Sequence, residues 1–295
     1  SITSGGNYNV LVGDEAGTAI TTGDGNTAVG YQALDTNISG SDNTAIGRAA
    51  GTAITTGFNN ALVGRNAGDA LTIGNSNTAV GMNALSAEVA GDRNVAVGYG
   101  SLTAQTNAST VDTYNVAVGY QAGAAITTGI SNTLIGGLAG DALTDADNNV
   151  AVGYFALSSD TQGSKSTAVG REALRQQNFS SATDSHNTAL GYSAGTAITT
   201  GVNNTLIGSL AGDALTDVNS NVAIGKFALS SDTLGSKSTA IGTSSLFTQN
   251  FTSATESYNV AVGYNAGVLV TTGVNNTLIG SLAGDALTDA DLNTA

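Results

Sequence analysis

The chain has no cysteine, no proline and no tryptophan, and only 10% of its 295 residues are charged. Each absence excludes something. Without cysteine there are no disulfides, no thiolate metal sites and no thiol chemistry. Without proline, every residue keeps a backbone N–H for a ladder, which stacked strands require. Aromatic residues fall to 5%, too few for a core built on large rings. Basic residues are scarce: 8 Lys and Arg against 22 Asp and Glu leave a formal charge of −14. That sign disfavours nucleic acid and anionic membranes as partners. No apolar run approaches the roughly 18 residues of a membrane-spanning helix, so no membrane insertion is expected. Ser1-Ile2-Thr3-Ser4-Gly5-Gly6 has no basic segment and no initiator Met. It does not read as a signal peptide, and a processed chain or a piece of a longer one is expected.

What is present is small. Forty glycines accompany abundant Ala, Ser, Thr and Asn, and hydrophobic residues reach 41%. A disordered chain carries more charge or proline. These residues suit thin, tightly turned structure.

A repeat fills the sequence. Its core word is Asn-[Thr/Val/Ala]-[Ala/Leu]-[Val/Ile/Leu]-Gly, ending at Gly13, Gly30, Gly47, Gly64, Gly81, Gly98, Gly119, Gly136, Gly153, Gly170, Gly191, Gly208, Gly225, Gly242, Gly263 and Gly280. The glycines are 17 residues apart, except for steps of 21 at Gly98–Gly119, Gly170–Gly191 and Gly242–Gly263. Three short steps and one long step make a longer period of 72. No linker interrupts it, so residues 1–295 read as one continuous solenoid. The final Asn293-Thr294-Ala295 opens another word, which predicts truncation or a covering segment.

A 17-residue period is too short for a helix pair and suits one β-solenoid coil. The fold class is all-β, a parallel β-solenoid or β-roll. Each coil is expected to carry a first strand such as Thr27-Ala28-Val29 and a second such as Ala125-Ile126-Thr127-Thr128. Glycines follow both, the second set including Gly23, Gly40, Gly57 and Gly163. Both sets fit corners that need positive φ. In the first strand the outer two word positions share one face and the Ala or Leu between them takes the other. Both faces are apolar. One is expected inside the coil and the other against neighbouring chains, with small Ala near a common axis. A homotrimer follows as the expected assembly.

The words Asn-Thr-Ala-Val-Gly-Tyr-Gln-Ala-Leu (26–34) and Asn-Val-Ala-Val-Gly-Tyr-Gln-Ala-Gly (115–123) resemble YadA-like head repeats of trimeric autotransporter adhesins. They also resemble repeats in bacteriophage and other viral tail fibres. The resemblance covers nearly the whole chain. It implies a left-handed parallel β-roll, three-chain packing, and an extracellular, cell-surface or virion role in attachment to a host.

Four groups of residues are candidates for sites. The word-opening Asn26, Asn43, Asn60, Asn77, Asn94, Asn115, Asn132 and Asn149 are expected to stack as a ladder, with Ser166 and Ser238 replacing Asn in two coils. Tyr31, Tyr99, Tyr120, Tyr154, Tyr192 and Tyr264 follow the first glycine and form a surface row, fit for sugar stacking or for packing between chains. The long coils hold variable segments 101–114, 173–186 and 245–258. There Arg175, Gln176, Gln177, Phe179, Phe247 and Phe251 either protrude to recognise a glycan or receptor or clasp a neighbouring coil. Asp145 and Asp147 offer hard oxygens at a turn and are candidate calcium ligands, without the full spacing of a calcium loop. No other cofactor is expected.

No catalytic set emerges. His186 is the only histidine, and the repeated serines have no base at fixed spacing. The expected function is a non-enzymatic fibre or adhesin shaft. Two alternatives remain: a filament subunit joined end to end, and a surface- or ice-binding solenoid using Thr-rich words such as Ile54-Thr55-Thr56.

Overall fold

A computed structural model describes residues 6–295. The amino-terminal segment read above for a leader therefore lies, apart from Gly6, outside the described residues. The chain divides into two compact units, Ser1–Asn148 and Asn149–Ala295. Both are parallel β-solenoids. Among the described residues no helix is long and apolar enough to cross a membrane.

In the first unit the stacked strands are Val10–Val12, Thr27–Val29, Thr44–Ile46, Ala61–Val63, Thr78–Val80, Val95–Val97, Val116–Val118 and Thr133–Ile135. In the second they are Val150–Val152, Thr167–Val169, Thr188–Leu190, Thr205–Ile207, Val222–Ile224, Thr239–Ile241, Val260–Val262 and Thr277–Ile279. Within each unit, successive words pair in parallel, as in Thr27↔Thr44, Ala28↔Ala45 and Val29↔Ile46. β-Branched residues favour this extended backbone.

The word's third position points inward, which corrects the sequence reading of the two faces. Ala28, Ala45, Leu62, Ala168 and Leu206 are fully buried. The reason is thickness. The coil interior is a single layer, and Leu fits there only where the facing column is glycine. A Cβ on Gly51 would lie 2.8 Å from Leu62 Cδ1, and one on Gly68 2.9 Å from Leu62 Cδ2. Small Ala thus serves the inside of the coil rather than a shared axis.

The second strand is also corrected. Ile126 is buried, but its segment is irregular and joins the next coil through single bonds such as Thr127 N–H to the Thr144 carbonyl, 2.9 Å. Only the long coils add a second ladder. Gly91–Asp92 pairs with Val111–Asp112, Gly163–Ser164 with Thr183–Asp184, and Gly235–Ser236 with Thr255–Glu256.

The two glycine sets differ in their cause. The word-ending Gly30 sits at φ +133°, and a Cβ there would lie 2.5 Å from the Gly47 carbonyl oxygen. The second set does not adopt positive φ. Gly57 is required by space instead, because its Cβ would meet the Gly74 carbonyl oxygen at 2.5 Å. Left-handed backbone falls partly on residues with side chains, including Gln32, Leu34 and Asp42 in one coil.

Candidate functional site: the polar corners and the outward faces

The word-opening asparagines are buried at one interior corner. Each is held from two directions. Asn43 Nδ2 donates to the Gly57 carbonyl at 2.8 Å and to Asn26 Oδ1 at 3.2 Å, while Asn43 N–H donates to the same Oδ1 at 3.0 Å. Asn60 repeats the pattern on Asn43, Asn77 on Asn60, and Asn94 on Asn77. Asn132 continues it on Asn115. Asn149 donates to the Gly163 carbonyl at 2.9 Å. An amide supplies both donor and acceptor, so a column of Asn satisfies itself without water.

A second interior corner shows what the sequence reading missed. In most short coils this column is apolar, with Ile54, Leu71, Ile126 and Leu143 buried. In one it is Asn37, also buried, whose amide accepts the Gly40 N–H and donates to the Gly40 carbonyl. Around each long coil it holds an acid followed by a glutamine: Glu88 and Gln105, Asp160 and Gln177, Asp232 and Gln249, all six fully buried. Gln177 Nε2 donates to Asp160 Oδ2 at 2.6 Å and to Ser166 Oγ at 2.8 Å, and its Oε1 accepts Asn187 Nδ2 at 2.8 Å. Gln249 does the same with Asp232, Ser238 and Asn259. Asp160 Oδ1 also accepts the N–H of Gly163 at 2.9 Å and of Phe179 at 3.2 Å. Glu88 is the densest case, with Oε1 accepting the N–H groups of Val89, Ala90, Gly91 and Asn107. Its Oε2 accepts Gln105 Nε2 and Asn107 Nδ2. Burial pushes the Asp232 carboxyl up, and the Gln249 amide and the Gly235 N–H partly oppose that shift.

These contacts relocate several predicted loop residues. Gln177, Phe179 and Phe251 do not protrude but are buried, so of the two alternatives for these loops these three residues take the clasping one. The Phe179 ring lies over Gly163, where a Cβ would come within 2.7 Å of its Cδ2. The shorter Asp leaves room for this ring. At Glu88 the longer acid meets Asn107 instead. Phe247 is half-buried, edge-on to Phe227 with centroids 6.0 Å apart. Gln176 remains exposed, and the Arg175 guanidinium stands 4.8 Å over the Phe155 ring. Segments 101–114, 173–186 and 245–258 are therefore tied down by their inner residues, and their edges reach solvent. Those edges carry an equivalent ion pair at each long coil, Arg93–Asp112, Lys165–Asp184 and Lys237–Glu256, and Glu172 in the middle one also pairs with Arg171 and Arg175. His186 is exposed there.

The tyrosine row is on the surface. Tyr31, Tyr99, Tyr120, Tyr154, Tyr192 and Tyr264 are each 42–57% exposed. Tyr99 and Tyr120 stack, with centroids 5.5 Å apart and planes 10° apart.

The proposed calcium residues meet protein partners. Asp147 Oδ1 accepts the Ile130 N–H at 2.8 Å, and Asp145 Oδ1 accepts the Thr144 hydroxyl at 3.2 Å. Among the described residues no three metal-ligating side chains gather around one point.

The outward face of the stacked strands is the other candidate. It carries the second and fourth positions of the word, and every one of them is Thr, Val, Ile, Leu or Ala. Ile46, Val80, Ile135 and Leu190 are 37–47% exposed there. In a chain of net charge −14, neither unit places a single charge on this face.

Family models, curated proteins and solved structures give no match to this chain. The likeness to adhesin heads and tail fibres therefore rests on the repeated words alone. The fold itself is a parallel β-solenoid with a structural, repetitive character.

Proposed function

We propose that the chain is a segment of an extracellular fibre or adhesin shaft, non-enzymatic, in which three copies pack through the outward strand faces. One observation carries this reading: the rows of exposed Val, Ile and Leu have no charge among them, as at Ile46, Val80, Ile135 and Leu190. A solvated sheet face alternates towards polar residues. Three chains each of charge −14 repel one another, and an uncharged face is where they can approach. Burying each such Val or Ile stabilises an interface by about 25 cal/mol per Å² of apolar area. Attachment to a host or other surface follows from the resemblance of the words at 26–34 and 115–123 to adhesin and tail-fibre repeats. Light scattering coupled to size exclusion tests the assembly. A mass three times 28.9 kDa is expected, and a single-chain mass would contradict it.

A second reading is favoured by the threonines on the same face. Thr27, Thr44 and Thr78 stand beside Val29, Ile46 and Val80 on this face, with Ala61 between the last two threonines. Such a row fits an ordered surface such as ice. The Thr55-Thr56 words lie elsewhere in the coil, and Thr55 Oγ1 is engaged with the Thr72 carbonyl at 3.2 Å. Faceted ice growth in the presence of the monomer would move this reading forward.

A further inference from the structure

The 72-residue period selects three members of the tyrosine row: Tyr120, Tyr192 and Tyr264. They share a setting. Each stands in the coil that follows a long coil, and each is exposed, by 55%, 47% and 57% respectively. On one side the preceding coil supplies a neighbour in the same column. Tyr99 stacks on Tyr120, and the Arg171 guanidinium lies 5.6 Å from the Tyr192 centroid. Thr243 holds that place for Tyr264, where the Asn265 N–H donates to the Thr243 carbonyl at 3.0 Å.

On the other side the column becomes small. The next-coil residues are Gly137, Ser209 and Ser281. Register is fixed by backbone bonds. The N–H groups of Leu138, Leu210 and Leu282 donate to the carbonyls of Tyr120, Tyr192 and Tyr264, each at 2.9 Å. One side of each ring therefore faces a step where a side chain is nearly or wholly missing. The residues at this step are uncharged, and the half-buried Gln121 and Asn265 follow two of the tyrosines in the chain.

We infer that Tyr120, Tyr192 and Tyr264 are binding platforms for a neutral polysaccharide, each ring seating one pyranose over the small residue of the next coil. The chemistry is specific. The C–H face of a pyranose is apolar and stacks on an aromatic ring, and amide and hydroxyl groups at the rim bind sugar hydroxyls. A net charge of −14 opposes an anionic polymer. Within the second unit, Tyr192 and Tyr264 are separated by four coil steps. At about 4.8 Å per step this places rings about 19 Å apart, a spacing that lets one polymer engage both. Weak single sites then add through effective concentration. This deepens the attachment reading by naming the class of surface.

Affinity electrophoresis of the full chain in gels containing dextran, mannan or amylose tests it. At least one of these polymers is expected to retard the chain. The triple variant Tyr120→Ala, Tyr192→Ala, Tyr264→Ala is expected to bind at least tenfold more weakly. A second variant, Ser209→Tyr with Ser281→Tyr, keeps the tyrosines but fills two steps, and is expected to weaken binding as well. No retardation of the parent chain by any of the three polymers overturns the inference, as does equal retardation of the triple variant. Light scattering on the same samples separates this inference from the assembly. A single-chain mass with retained glycan binding leaves the platforms standing and removes the shaft. A triple variant that loses its trimer mass assigns the tyrosines to packing between chains and overturns the platforms.

Discussion

Ile54 in a short coil and Gln177 in a long one fill the same interior corner in opposite ways. In one short coil of the first unit the corner is Ile54, fully buried and holding its place by volume. In the long coil of the second unit it is Gln177, equally buried but clamped between Asp160, Ser166 and Asn187. A short coil tolerates exchange of one apolar shape for another, and Ile54, Leu71, Ile126 and Leu143 illustrate that freedom. A long coil tolerates none, because each polar atom is satisfied only by a named partner. The extra residues cover this polar corner and lay the short second ladder across it. Specific chemistry is therefore concentrated at the 72-residue intervals.

The largest effect should come from making a long coil imitate a short one. Gln177→Leu removes the amide that Asp160 and Asn187 share and leaves a buried carboxylate short of a partner. A loss of about 3 kcal/mol is expected in denaturant unfolding. Combining it with Asp160→Leu should recover part of that loss, because two apolar residues reproduce the short-coil corner. A coupling of about 1–2 kcal/mol would measure the pair. Purely additive losses would dissolve the contrast between the two coil types.

This contrast was only half legible in the sequence. The recurrence of Asn and Gly is a matter of counting, so the solenoid, its period and the Asn column could be read directly. Asp160 and Gln177 are 17 residues apart in different words, and nothing local marks them as partners. Their one signal was recurrence at 72, with Glu88 and Asp232 and with Gln105 and Gln249. The direction of the strand faces was misread because alternation tells which residues share a face and leaves open which face is inside. The size match between Leu62 and the glycines at 51 and 68 decides it, and that match appears only when coils are stacked. The left-handed conformation of Leu34 was invisible, since Leu is not a residue that favours it.

A smaller effect concerns pH. Burial raises the carboxyls of Asp69, Asp141 and Asp213, and of Asp232 in the long coil, above their usual value of 3.8. Asp69 Oδ1 and Asp141 Oδ1 are buried without a hydrogen-bond partner. A folded pKa above the unfolded one means that the folded state keeps protons the unfolded state has released. The resulting stability is fully present below 3.8 and is lost as pH rises through the raised values. The melting temperature should rise on acidification from pH 7 towards that window, and Asp69→Asn with Asp141→Asn should flatten the rise. Asp217 behaves oppositely, held low by the Thr199 and Thr200 hydroxyls, so its contribution is fully present above 3.8 and is lost as pH falls through its lowered value.

The smallest effect should be at the rim of a long coil. Lys165 and Asp184 are about half exposed, and Lys165→Ala should change stability by no more than about 0.5 kcal/mol in thermal unfolding. A large loss would show that the clasp depends on its surface charges as well as on its buried amides.

The central claim is that the uncharged outward face is the seam between chains. Its most direct test is the solution mass of a variant with Val169→Lys and Ile224→Lys, two outward positions in the second unit. The account predicts a single chain of 28.9 kDa with unchanged β-type circular dichroism, while the parent chain gives three times that mass. A variant that keeps the assembled mass of the parent would contradict it.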